Sequence, residues 1–174
     1  MRRKALALVF VMVIGALASD PGVQVAFAQT PPALGASCSG TATATATATV
    51  TCSSTISAST SDVMIVFVTT SSGTPGTPSM SGGGITFNSR NTASTTGATA
   101  AEFWGVPTGT ISSQTVSDTV SGGTTPSIAM VAFTVTGADT TGPFDPNLAT
   151  PPTAASGTTT SPTISFTTGG QTTW

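Results

Sequence analysis

The sequence predicts an all-β fold, an antiparallel β-sandwich or jelly roll, and three observations carry that expectation. Past residue 28, Leu34 and Leu148 are the only leucines, while β-branched Thr, Val and Ile dominate, a composition that suits strands. No window carries apolar residues at helical spacing, whereas several alternate with period two or form short solid apolar runs. Gly- and Pro-rich turns separate these runs, as in a β-sandwich.

The chain opens on Arg2, Arg3 and Lys4, followed by an apolar stretch over residues 5–18 and by Ala26-Phe27-Ala28. This is the n-region, h-region and small–x–small cleavage pattern of an export signal. Residues 1–28 are therefore read as a signal peptide, with Gln29 first in the mature chain. An uncleaved anchor is the alternative, but the apolar run ends at Ser19-Asp20-Pro21-Gly22, short for a membrane span.

Residues 29–37 read as an extended, Pro-containing lead-in, and residues 38–174 as one β-sandwich domain. Residues 41–51, the Thr-Ala tract, read as one strand. Residues 63–68 (VMIVFV) are solidly apolar and read as a central strand buried on both faces. After a loop over residues 71–84, Ile85 and Phe87 point one way and Thr86, Asn88 and Arg90 the other. Residues 99–106 form a strand carrying Phe103 and Trp104, stopped by Pro107. Residues 110–120 read as a more polar strand at an edge. Residues 128–135 (IAMVAFTV) read as the second central strand, with Ile65, Phe67, Met130, Val131 and Phe133 all expected in the core. Residues 150–162 form a Thr/Pro/Ala/Ser connector of solvated or O-glycosylated character, and Ile164 and Phe166 mark a last short strand.

Charge and composition exclude several kinds of function. Past residue 28 the chain keeps one cation, Arg90, against Asp62, Glu102, Asp118, Asp139 and Asp145, a net charge of −4. Such a chain has nothing to neutralise a row of phosphates, so nucleic acid is not a partner, and anionic membrane surfaces are equally unsuited. There is no His, no Tyr and, past Lys4, no Lys, while Thr and Ser fill roughly two-fifths of the mature chain. Side-chain catalysis draws mainly on the missing groups, so no enzymatic activity and no required cofactor are expected.

Four features remain as candidate sites. Cys38 and Cys52 bracket the Thr-Ala tract. Along one straight strand they would stand about 46 Å apart, whereas a disulfide needs Cα atoms within about 7 Å. Either the tract folds back, or the cysteines pair between subunits. Export favours oxidation, and closing a loop of this length stabilises by about 3 kcal/mol, which favours the intrachain bond. The Thr-x-Thr row also suits an ice-binding array, but only this strand carries the pattern, and an exposed Thr-rich strand explains it. Asp139, Asp145 and Asn147, in a turn-rich loop after a central strand, are oxygen ligands of the kind Ca²⁺ takes; the competing reading is Asx-type turn bonds. Glu102, Phe103 and Trp104 form the fourth, an acid beside two aromatic residues that suits a glycan surface.

Residues 62–68 (DVMIVFV), 101–106 (AEFWGV) and above all 135–147 (VTGADTTGPFDPN) resemble a Ser/Thr/Gly-rich β-sandwich module of secreted and surface proteins from environmental bacteria and archaea. The resemblance carries no catalytic residues and implies an extracellular structural, adhesive or display role. Modules of this kind continue past the strand at Ile164 and Phe166, so the resemblance implies either a truncated reading frame or a sandwich whose missing strands come from elsewhere, with an open edge. The leading expectation is a secreted, self-associating structural subunit of an extracellular filament or surface matrix. An open edge invites strand donation, with the Thr-Ala tract as a suitable donor; the competing reading is that the tract folds back into its own sandwich as the first strand. The alternative is a monomeric adhesion or carbohydrate-binding module using Glu102, Phe103 and Trp104.

Overall fold

The structure, a computed structural model, describes residues 31–144. The expected signal peptide, the connector over residues 150–162 and the strand expected around Ile164 and Phe166 lie outside these residues. Among the described residues every regular element is a strand, in chain order β1 (Ala33–Thr43), β2 (Thr47–Thr51), β3 (Ile56–Ala58), β4 (Asp62–Thr70), β5 (Thr74–Pro75), β6 (Ser79–Met80), β7 (Asn88–Thr95), β8 (Ala98–Gly105), β9 (Ile111–Gln114), β10 (Val116–Ser121) and β11 (Ser127–Thr136). The expected all-β sandwich is the observed class. The larger sheet has the antiparallel order β1-β11-β4-β8-β7, and the smaller has β2-β10-β5, with β6 also on β10 and a separate β3-β9 pair.

The core lies between the sheets. Met64, Val66 and Val68 of β4, Ala101 and Phe103 of β8, and Ile128, Met130 and Ala132 of β11 face Ala48, Val50, Val116 and Val120 of the smaller sheet. Ile56, Met80, Phe87 and Ile111 close its ends. The strands expected to be central, β4 and β11, are neighbours in the middle of the larger sheet. They are not buried on both faces. Met130 is buried as expected, but Ile65 and Phe133 are half-buried, and Phe67 and Val131 keep 45% and 47% of their surface exposed. The smaller sheet covers only one side, so side-chain alternation sends these four residues to the outer face.

The Thr-Ala tract is two strands, not one. Ala46 adopts a φ of 72°, Ala44 N–H donates to the Pro126 carbonyl, and Thr47 N–H to the Thr45 carbonyl. The chain thereby leaves the larger sheet and enters the smaller. The tract puts Ala and both Cys on one side and Thr on the other, so after the fold-back both halves turn their small apolar side toward the same core. Ala48 and Val50 are fully buried, while Thr47, Thr49 and Thr51 are exposed. Gly40 marks the close approach of the two halves, because a side chain there would collide with the Thr51 carbonyl. β1 also begins earlier than the lead-in reading implied: Ala33 and Leu34 already pair with Thr136 and Val135.

Residues 110–120 likewise form two strands, β9 and β10. Ser113 has a φ of 52°, and Thr115 N–H is taken by the Ser81 hydroxyl. β10 is central in the smaller sheet, not an edge, because the loop over residues 71–84 supplies β5 and β6 as its further neighbours.

Candidate functional site

The disulfide is intrachain. Cys38 on β1 and Cys52, just past β2, are bonded with Cα atoms 5.5 Å apart, and both are buried in the inter-sheet core. Cys52 N–H donates to the Val116 carbonyl and Ser53 N–H to the Ser39 carbonyl, each at 2.8 Å. The bond ties one sheet to the other beneath the corner. It suits an oxidising, extracellular-type environment. Among the described residues no helix is long and apolar enough to cross a membrane.

Glu102, Phe103 and Trp104 do not form one surface. They are consecutive on β8, so Phe103 points into the core and is buried, while Glu102 and Trp104 point outward and are half-buried. Registers carry this outer face across the sheet. Ser39, Val131, Phe67, Glu102 and Asn91 form one row. Ser37, Phe133, Ile65, Trp104 and Asn88 form the next. The middle of both rows is apolar, and the flanks are short and polar.

Two residues missed in the sequence complete the Glu102–Trp104 corner. Arg90, at a bulge in β7 between Ser89 and Asn91, donates through Nη1 to both Glu102 carboxylate oxygens at 2.8 Å. Its guanidinium lies 3.9 Å from the centre of the Phe144 ring, within cation–π range. Phe144 meets Trp104 edge-on, with ring centroids 5.6 Å apart and an interplanar angle of 87°. Arg90 had one sequence signal, as the only cation left to balance an exposed acid. Phe144 had none, since its partner is forty residues away.

The remaining acids are engaged separately. Asp139 Oδ1 accepts the Thr141 N–H at 2.8 Å and the Thr141 hydroxyl at 2.6 Å, the Asx-type turn that competed with the calcium reading. These bonds hold its carboxyl below the usual carboxylate range, the Thr141 hydroxyl most strongly. Asp145 and Asn147 lie outside the described residues. Among the described residues no three His, Cys, Asp or Glu side chains gather into a metal-binding group. Asp62 Oδ2 accepts the Ser59 N–H at 2.7 Å and closes the turn into β4.

Asp118 is the exception. It points into the core from β10 between Val116 and Val120, 3% exposed. Oδ1 accepts the adjacent Thr119 N–H at 2.6 Å, but Oδ2 has no hydrogen-bond partner among the described residues. Burial pushes its carboxyl above the usual range, and the Thr119 bond offsets part of that.

The outer face of the smaller sheet carries hydroxyls in register on two strands: Thr51 opposite Ser117, Thr49 opposite Thr119 and Thr47 opposite Ser121. Thr49 and Thr119 hydrogen-bond at 3.0 Å, and Ser79 meets Ser117 at 3.2 Å. The Thr-x-Thr row is thus part of a hydroxyl-covered face rather than a lone row. No family model, curated protein or solved structure matches the chain.

Proposed function

We propose that this chain is a secreted structural subunit of an extracellular filament or surface matrix, joined to other copies by strand addition at β7. The observation that carries the reading is the edge itself. β7 runs eight residues, pairs with β8 on one side, and has no partner on the other among the described residues. An edge of this length offers a row of backbone N–H and C=O groups to an extended segment. Its side chains are short and uncharged except at the Arg90 bulge, so only one end is blunted. The Thr-Ala tract does not serve as a detached donor in this fold, since β1 pairs with β11 and β2 with β10 within the chain. An extended segment elsewhere in a neighbouring copy fills that role.

A second reading rests on Glu102 and Trp104 sharing the outer face of the larger sheet, which suits a monomeric adhesion or carbohydrate-binding module. Size-exclusion chromatography with negative-stain microscopy of residues 29–174 separates the two. Assembly predicts polymers. Consecutive residues send their N–H groups to opposite sides of a strand, so one of Thr92→Pro and Ala93→Pro removes an edge N–H and spares the β8 ladder. That variant keeps its Tm and stops polymerising. A wild-type chain that stays monomeric when concentrated overturns the assembly reading, and loss of glycan binding in Trp104→Ala would then establish the second.

A further inference from the structure

We infer that the strand added to β7 is the leading half of β1 in the next copy, residues 33–37, paired in parallel and head to tail. The inference rests on the assembly reading above and names its partner. β1 and β7 are the two outside strands of one sheet, in the order β1-β11-β4-β8-β7. Every neighbouring pair in that sheet is antiparallel. Strands β1, β4 and β7 therefore run one way, and β11 and β8 the other. A second copy displaced across the sheet without inversion brings its β1 alongside β7, both running the same way.

Symmetry and strand length single out this partner. Two β7 edges joined about a two-fold axis would be self-complementary and close at a dimer. A filament joined at β7 needs a different surface on the next copy, so that each contact leaves one β7 and one partner edge open. Among the described residues, β5 and β6 have two residues each, β3 three and β9 four, too short to match an edge of eight. β2 has β10 on one side, and beyond it the corner brings the Thr51 carbonyl against Gly40 of β1. β1 pairs only with β11 in its sheet. Its leading half carries no charge, and Ala33, Leu34, Ala36 and Ser37 are exposed. Leu34 keeps 71% of its surface in water, more than any other large apolar side chain among the described residues. A bulge sets Gly35 and Ala36 together against Thr134; it raises the local twist without filling the open side. Five strands per copy would advance such a filament by about 24 Å, and sheet twist would turn each copy by about 100–125°. The larger sheet then runs unbroken along a helical filament.

The test uses two blocked forms of residues 29–174. One is the β7 proline variant that keeps its Tm. The other is Leu34→Lys with Ala36→Lys, which sets cations on the open side of β1, as natural edges are blunted. Leu34→Lys alone serves if the pair lowers Tm. Head-to-tail pairing predicts that each form alone is monomeric by size-exclusion chromatography with light scattering. Mixed in equal amounts, at a concentration where the wild type polymerises, they form a dimer of doubled mass and nothing longer. Polymers of the β1-blocked form, with the β7 variant still monomeric, leave strand addition at β7 standing and overturn β1 as its partner. Dimers of the β1-blocked form on its own reveal a two-fold contact between β7 edges and overturn it as well, as does a mixture that stays monomeric. A wild-type chain that never polymerises overturns the assembly reading itself, and this inference with it, so the two failures are told apart.

Discussion

Phe67 on β4 stacks against Phe133 on β11, with ring centroids 6.2 Å apart and 27° between their planes, on the outer side of the larger sheet. The two are diagonal neighbours, one register step apart, a spacing that aromatic side chains bridge. Both come from the runs expected to be buried twice over. The pair belongs instead to a half-exposed stripe.

That placement sets the cost of removing each side chain. Phe133→Ala should destabilise by about 1–2 kcal/mol, since only part of its surface leaves water. Met130→Ala, on the opposite face of the same strand and 1% exposed, should cost about 2–5 kcal/mol. Urea unfolding of the two variants checks the ranking. Equal losses would put the core on the wrong side of β11.

The intrachain bond predicts how the protein responds to reduction. Cleaving Cys38–Cys52 releases a loop closed over fourteen residues, worth about 3 kcal/mol, and unties the two sheets at their corner. Reduced protein, or the Cys38→Ser, Cys52→Ser double variant, should melt at a clearly lower temperature. Non-reducing gels should show no disulfide-linked ladder, whatever the state of assembly. A Tm unchanged by full reduction would contradict the stapled core.

Asp118 gives the protein an inverted acid response at one site. Its folded-state carboxyl titrates above the ordinary carboxylate value because burial disfavours the charge. Between those two values the folded chain holds more protons than the unfolded one. Stability from this group is therefore full below the ordinary value, falls as pH rises through the window, and stays flat above it. Asp118→Asn should raise Tm at neutral pH and remove that part of the slope. A neutral-pH Tm that drops in the variant would show that the ionised carboxylate has a partner in the folded protein.

Calcium has a direct test as well. Asp139 already spends Oδ1 on Thr141, so a bound ion would have to compete with the turn. The expected outcome is a Tm unchanged by millimolar calcium. A rise by mass action on the folded state, abolished by Asp145→Asn, would instead establish a site formed by Asp139, Asp145 and Asn147.

Local periodicity is what the residues determined unaided. Alternation and the placing of turns depend on neighbours along the chain, so the all-β class, the strands at residues 99–106 and 128–135, and the shared side of Ile85 and Phe87 were all legible. The fold-back of the Thr-Ala tract was not, because it depends on Ala46 taking a positive φ without glycine, stabilised by contacts such as Ala44 with Pro126. Nor did VMIVFV reveal that, among the described residues, only one of its faces packs against a second sheet, since a solid apolar run reads the same beneath one layer or two. The side on which the smaller sheet packs decides which face is buried. The tertiary structure likewise decided the Cys38–Cys52 pairing, the joining of Arg90 to Glu102 and of Phe144 to Trp104, and the burial of Asp118. Each links residues distant in sequence or sets a charge against a core assembled from several strands. Such relations arise from how the sheets pack, a property of the whole chain that no local pattern encodes.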